Sequence, residues 1–482
     1  MAHSSPTAGS VAGRTPVGTI LAFGSPGLPL AALLLTFAVY LPRYYVGLGI
    51  AFGVVAASIA TVRFIDLVFD PLVALVMDRT KTPIGRYRPW LILGAPFLML
   101  GVYKLLIVQG SASAGYLITW LLVAYVGVSM LTLGIAAWSA VIATSYNERS
   151  RLFGWTQAMA VGGSVSLLLL PLITQGKIVA GKAASMPTIG WIMIAALPIA
   201  VAICTSLAPE KLARRAAPSR FGLKDYWAAI SRPSMLRIIL ADLALTLGPG
   251  TTAPLYVYFF HDAKGFSIAD VSFLLIFYIG AGVLGAPFWS RVAHRFGKHR
   301  TIQIACVCYG IAQTTLMALP RVWPGYTRLD ALPTALGMLG VGFCASAFVL
   351  LIRAMVADVS DEVKLEQKRD LTSLLFSMVT TTTKVGATIT VLIVFPILQV
   401  VGYNGKEGAV NTSGAIFGLE MCYLFAPIAL VFVGGAVLFG YKLDAARHSQ
   451  IRAQLEERDT IEDVAAAEES LIGSTAASPA AE

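Results

Sequence analysis

Charged side chains are scarce in this chain. Asp, Glu, Lys and Arg make up only 13% of its 482 residues, against 57% hydrophobic residues. A soluble domain carries about 25% charged residues, so an ordinary water-soluble fold is excluded. Histidines are equally few: His3, His261, His294, His299 and His448 are scattered over segment ends and loops. They form no nucleophile–base–orienter set and no metal cluster, which argues against a membrane enzyme. The five cysteines (Cys204, Cys306, Cys308, Cys344 and Cys422) sit in apolar stretches without ligand spacing. They read as small core residues, so neither a metal nor a disulfide is assigned. The chain lacks a G-x-x-x-x-G-K-[ST] loop, which excludes a phosphate-loop pump. No cleavable leader is expected, because the first 17 residues are polar and the first apolar run is too long for a signal core.

What the chain has instead is long apolar runs. Twelve of them predict membrane-spanning helices: 18–41, 48–77, 89–109, 115–145, 152–175 and 187–208 in the first half, then 234–260, 267–293, 301–320, 332–358, 371–402 and 412–441. The expected architecture is an all-α membrane protein of twelve transmembrane helices in two pseudo-symmetric six-helix halves. Residues 1–17 form a flexible lead, 18–208 the first half, 209–233 a linker, 234–442 the second half, and 443–482 an acidic tail. The linker holds Lys211, Arg214, Arg215, Arg220, Lys224 and Arg232. With the amino terminus placed in the cytoplasm, 24 lysines and arginines fall on that side. Seven fall opposite: Arg43, Lys177, Lys182, Lys264, Arg321, Arg328 and Lys406. That asymmetry predicts both termini inside the cell membrane, and it explains the net charge of +10 without nucleic acid.

Inside the second run, Arg63, Asp66 and Asp70 lie three and four residues apart. At helical pitch they share one face. Each ionised group at mid-bilayer costs about 2.5–3.5 kcal/mol even on lenient insertion scales, so such a stripe must face a bundle interior or a watery cavity. An Arg–Asp pair locking two helices would use one carboxylate, and here there are two. Intramembrane carboxylates are the usual place for proton or cation coupling.

The halves echo one another. PLVALVMDRTKTPIGRYRP (71–89) follows the second run and PFWSRVAHRFGKHR (287–300) the eighth, and Gly85 and Gly297 are 212 residues apart. Repeats of this kind characterise secondary transporters, whose sites lie near the midplane between halves.

These residues resemble the major facilitator superfamily, with its basic, glycine-bearing turns after helices 2 and 8. More narrowly, RFIDLVFDPLVALVMDRTKTPIGRYRPW (63–90) is similar to the helix-2 signature of the glycoside–pentoside–hexuronide:cation symporters, the melibiose permease-like family. MVADVSDEVKLEQKRD (355–370), Lys384 after a TTTT run, and Trp138-Ser139 with ERSR (148–151) match it as well. The resemblance implies a major facilitator fold and cation-coupled symport by alternating access. It makes Asp66 and Asp70 the cation site, served by Lys384 and Arg63. It implies gating by Asp78, Arg79, Gly85, Arg86 and Arg88 in the first turn, with Gly297, Arg300, Asp358 and Asp361 in the second half. The first turn is expected to close the inner face against helix ends of the other half.

Departures from the family shape the remaining expectations. Phe69 stands where sodium-using members often carry Asn, and a hydroxyl ligand expected near Leu131 is missing, with Thr132 adjacent. H+ is therefore favoured over Na+ as the co-transported ion, and no other cofactor is expected. On the substrate side, Ala31, Gly134, Val349 and Thr156 (beside Gln157) replace the sugar-anchoring residues, and Trp138 alone remains. The expected cavity is apolar with an aromatic rim (Tyr45, Trp138, Tyr278, Trp289) and a positive bias from Arg63, Arg353 and Lys384. That suits a glycoside, a uronide or an amphipathic organic anion. For Arg353, pairing with Asp358 stays open.

FGSPGLP (23–29) predicts a kinked or unwound first helix, and Gly248-Pro249-Gly250 beside Asp242 suggests the same in the seventh. The tail from Leu443 carries nine acids against three arginines and is expected to be helical, then disordered, and dispensable. Expected partners are the lipid bilayer, that of a bacterial inner membrane, and a small-molecule substrate, with a monomer as the working unit. An uncoupled facilitator or a proton-coupled drug or organic-acid antiporter of the same fold is the alternative.

Overall fold

A computed structural model describes residues 16–80, 82–107, 113–142, 146–173, 186–210, 223–323, 325–327, 329–367, 371–406, 408–444, 446–458 and 460. The polar lead with Arg14, the cations Lys81, Lys177, Lys182, Arg328, Lys368 and Arg369, most of the linker cations, and the tail beyond 460 lie outside them. Among the described residues the regular structure is all helix, apart from one isolated Thr82–Gly85 bridge, with turns and irregular connections between the helices. A helix suits a bilayer because it satisfies its backbone amides within the segment.

Among the described residues, twelve helices are long and apolar enough to span. Spans 1 to 6 are Val17–Gly47, Phe52–Met77, Arg88–Leu106, Ala114–Ser139, Arg151–Leu170 and Met186–Leu207. Spans 7 to 12 are Pro233–Ala263, Ile268–Phe296, Lys298–Ala318, Leu332–Gln367, Leu374–Val400 and Ser413–Val437. The second span starts four residues later than expected. Gly49 adopts φ +98°, a left-handed backbone that ends the first helical segment and separates the two. The tenth runs nine residues beyond its expected end, carrying Asp361 on helix.

The chain divides into two compact units. One comprises Met1–Pro218, Ser267–Phe273 and Asn404–Ala409; the other comprises Ser219–Phe266, Leu274–Tyr403 and Val410–Glu482. The division at Pro218 falls within the expected linker, whose later part forms a short helix, Leu223–Ile230. Within the first unit, span 3 packs on spans 4 and 6, and span 1 on spans 5 and 6. Within the second, span 9 packs on spans 10 and 12, and span 7 on spans 11 and 12. The same pairings recur six spans later, as the matched turns imply. Small residues permit the close approaches: a Cβ at Gly127 would strike the backbone of Gly94 and Leu98 on span 3.

The first span does break where its prolines predict. A helical segment ends at Gly24 and resumes at Gly27. Ser25 Oγ lies 2.7 Å from the Ala22 carbonyl and 2.8 Å from that of Ala200 on span 6. The break is thus stitched to its own unit. Span 7 differs from expectation, because its helix continues through Gly248-Pro249-Gly250. Gly248 there packs against Val431 and Gly250 against Thr390, so these glycines serve close approach. Its irregular stretch is the wider-wound turn Tyr258–Ala263.

Candidate functional site

Span 2 separates its two kinds of residue cleanly. Phe64, Ile65, Val68, Leu72, Leu75 and Val76 are exposed and share one face. Arg63, Asp66 and Asp70 are half-buried and lie on the opposite face. An exposed apolar face suits lipid, which leaves the ionisable stripe to the protein side.

Within that unit, Ser129 Oγ donates to Asp66 Oδ1 at 2.6 Å. Ser129 is buried, on span 4. This amends the expectation that span 4 brings no hydroxyl to the acids. Thr132 does not supply one, since its Oγ1 donates back to the Val128 carbonyl at 2.8 Å. The hydroxyl comes from three residues earlier. It adds one neutral oxygen beside a carboxylate, which is the kind of ligand a hard cation uses.

In the second unit, Thr383 Oγ1 donates to Asp242 Oδ2 at 3.2 Å. Asp242 is 7% exposed and has Arg353 as an electrostatic neighbour. The Thr383–Lys384 pair on span 11 is thereby tied to span 7. Arg353 itself is exposed, and Lys384 half-buried. The possible Arg353–Asp358 pairing is not what the structure displays: Lys298 Nζ holds both Asp358 oxygens, at 2.6 and 2.7 Å.

The expected aromatic rim is packed. Trp138 is fully buried, its Nε1 donating to the Pro209 carbonyl at 3.3 Å and its ring meeting Phe23 edge-on. Tyr45 is buried and donates to the Leu105 carbonyl at 3.1 Å. Trp289 donates to the Phe343 carbonyl at 2.8 Å. Indole and phenol groups buried among helices need such partners, and each has found a carbonyl. Tyr278 is half-buried, and Gly342 lies against its backbone. Thr156 Oγ1 donates back to Leu152, while its methyl packs by Gly24; Gln157 is exposed.

Both basic turns carry a glycine with positive φ, +123° at Gly85 and +84° at Gly297. The first turn is built around a residue that sequence reasoning passed over, Glu210. Its carboxylate accepts the backbone amides of Arg86 and, at 2.9 Å, Tyr87, and it lies 3.9 Å from Arg88 Nε. Arg88 also donates to the Ala208 carbonyl at 2.8 Å and stacks over Trp138. The anchor of this turn therefore belongs to the end of span 6 in the same unit. Arg86 Nε reaches back to the Met77 carbonyl. Arg79 is exposed, and the Asp78 side chain lies outside the described residues.

In the second unit the corresponding tie is Lys298 to Asp358, while Arg300 is exposed. A helix at 446–458 joins it, with Ile451 and Leu455 buried and His448 Nε2 3.0 Å from Asp361 and 3.4 Å from Asp358. The start of the tail is therefore docked on span 10. Signals for the missed residues were present but faint: Glu210 is a lone acid abutting a cationic stretch, and Ser129 one hydroxyl among several in the spans.

A family model described as MFS/sugar transport protein matches residues 22–445. The isoprimeverose transporter of Lactiplantibacillus pentosus is 25% identical over 450 residues, covering 89% of this chain and 88% of its own length. A protein of Escherichia coli strain K12 that carries the name glycoside/cation symporter YagG is 25% identical over 417 residues, covering 84% and 87%. Among solved structures, the nucleoside transporter NupG superposes with a TM-score of 0.65 at 15% identity, over 88% of this chain and 100% of that one. At that identity the likeness is one of fold.

Proposed function

The chain belongs to the glycoside–pentoside–hexuronide:cation symporters within the MFS/sugar transport family, a multi-pass membrane transporter and not an enzyme, and from that premise we propose that it couples uptake of a glycoside, uronide or amphipathic organic anion to a cation bound at Asp66 and Asp70. The observation that carries this reading is the ionisable stripe on the non-lipid face of span 2, with Ser129 donating to Asp66. Two carboxylates one turn apart relieve their repulsion by taking up a positive charge. Arg63, and Lys384 in the other half, then set how strongly it is held. Cation affinity that changes with the distance of those cations is a means of linking a gradient to alternating access.

The proton is the ion we propose, because Phe69 contributes no oxygen where a sodium site would want one. Sodium is the second reading, and the Ser129 hydroxyl is the observation that favours it. On the substrate side, Arg353 and Gln157 are the exposed polar groups of the expected set. Arg353 supplies the countercharge for an anionic ligand; Thr156, Gln157 and Tyr278 are the further substrate contacts proposed, with Trp138 and Tyr45 as packed supports within their own unit. The basic turns face the cytoplasm, as do both termini, and the bilayer is that of a bacterial inner membrane.

Reconstituted vesicles test this. Substrate addition should alkalinise the outside medium, and a sodium gradient alone should drive no accumulation. Accumulation that persists with both gradients collapsed would convert the reading to an uncoupled facilitator.

A further inference from the structure

At the basic end of the second unit, beside the turn of Gly297 and Arg300, lies an open cavity of about 590 Å³ to which no ligand has been assigned above. His294, Arg295, His299 and Arg300 line it, with Asp444 as the acid among its lining residues. Asp444 is partly engaged: its Oδ1 accepts the Arg447 amide at 2.8 Å at the start of the helix at 446–458. Lys298, from the same basic turn, is directed to Asp358 and adds nothing to the cavity. Two permanent positive charges and two imidazoles therefore face one carboxylate.

The cavity also receives the amino-terminal end of span 9, a helix of 21 residues. Among the described residues no side chain caps that end, and its N-cap residue is Gly297. First-turn amides and the helix dipole both favour an anion there. The geometry continues away from the cavity. Arg300, Ile304, Val307 and Ile311 recur at helical spacing, so all four lie on one face of span 9. The three apolar ones are exposed, Ile311 by 62%. Span 12 packs alongside and contributes exposed Phe432, whose ring lies against Gly310. From Ile304 to Ile311 the lane is about 10 Å long at helical rise.

We propose that this cavity and lane bind an anionic phospholipid, its phosphate held by Arg295, Arg300 and the first amides of span 9, its acyl chain laid along Ile304, Val307 and Ile311. A basic recess at the membrane surface selects negative headgroups. A soluble anion would use the recess alone; the continuity of the basic recess with an exposed apolar lane on the same face of span 9 is what favours a lipid, which has both a negative headgroup and an acyl chain. The inference rests on the chain being a membrane protein and is independent of the role given to Asp66 and Asp70.

The test uses the full chain, stripped of lipid in a neutral detergent and examined by native mass spectrometry. Phosphatidylglycerol should be retained in preference to phosphatidylcholine at equal concentration. Arg295→Gln with Arg300→Gln should weaken phosphatidylglycerol retention by about thirtyfold, the usual combined contribution of two surface cations. Lys406→Gln, at an exposed loop elsewhere, should leave it unchanged, and Val307→Ser with Ile311→Ser should weaken it while sparing inorganic phosphate. Equal retention of both lipids, or unchanged phosphatidylglycerol binding in the double arginine variant, would overturn the proposal. Displacement of the lipid by equimolar inorganic phosphate would overturn it as well, by showing a soluble-anion site.

Discussion

Gly85→Val strikes the first basic turn at its narrowest point. A φ of +123° is outside the ranges a β-branched residue adopts, and holding valine there costs about 1–3 kcal/mol. The new Cβ would also fall on the Glu210 carboxylate, which must withdraw. Withdrawal breaks the bonds from the Arg86 and Tyr87 amides. Hydrogen bonds to a charged group contribute about 1.5–3 kcal/mol each, so the total loss is about 4–7 kcal/mol after some rehydration. Glu210→Ala removes the same two bonds without the backbone strain and should cost about 3–5 kcal/mol, because Glu210 is only 4% exposed and faces Arg88. The double variant should therefore be little worse than Gly85→Val alone, with a coupling of about 2–4 kcal/mol. Gly297→Val is the comparison: the nearest atom to its new Cβ is 3.8 Å away, so only backbone strain is expected. Equilibrium unfolding in mixed micelles, with transport turnover measured in parallel, reads all four. Additive losses from Gly85→Val and Glu210→Ala would refute the idea that the glycine exists to admit the carboxylate. Normal turnover in a well-folded Gly85→Val protein would show that the turn has no part in gating.

Asp70→Asn keeps the shape of the coupling site and removes its charge, so gradient-driven accumulation should vanish while exchange persists; full concentrative uptake would remove Asp70 from the mechanism. Asp66→Asn should be similar or milder. Ser129→Ala removes a neutral oxygen from beside the Asp66 carboxylate, so proton-driven accumulation should persist, whereas a selective loss of sodium-stimulated uptake would establish the second reading. Trp138→Ala should cost about 3–5 kcal/mol of stability, the range for emptying a large buried aromatic site, and measured Kd for bound substrate in the surviving fold should change little; a large affinity loss at unchanged stability would return Trp138 to the substrate site.

The twelve spans were legible because each is a long apolar run and a bilayer leaves such a run no alternative to helix. The matched glycines were legible for a related reason: a basic turn with a left-handed residue is a local requirement, and both glycines have positive φ. Side-chain partners across spans were harder to read. Trp138, Tyr45 and Trp289 look from sequence like a ligand-facing rim, because an amphipathic aromatic suits a cavity wall and a packed interior equally well. Which role it takes depends on whether a backbone carbonyl lies within reach of its N–H or O–H. That depends on helix register, and no local pattern encodes it. Glu210 was missed on the same ground, since its partners are amides 123 and 124 residues earlier.

Ser129 carries the most consequence for function. The expectation of a hydroxyl at one particular place on span 4 was reasonable, but a helix offers neighbouring positions three or four residues away on the same face. Thr132 turns its hydroxyl back on its own helix, and Ser129, three residues nearer the start of the span, is the residue whose oxygen meets Asp66. A site of two carboxylates with one hydroxyl is poorer in neutral oxygens than a hard cation prefers and richer than a proton needs. Ion identity therefore turns on how many further oxygens the working site gathers. A variant that adds one answers this directly. Phe69→Asn places an amide oxygen beside Asp70, and proton-coupled uptake should acquire sodium stimulation. If it does not, Phe69 is a packing residue of span 2, and the preference for a proton loses its remaining support from sequence.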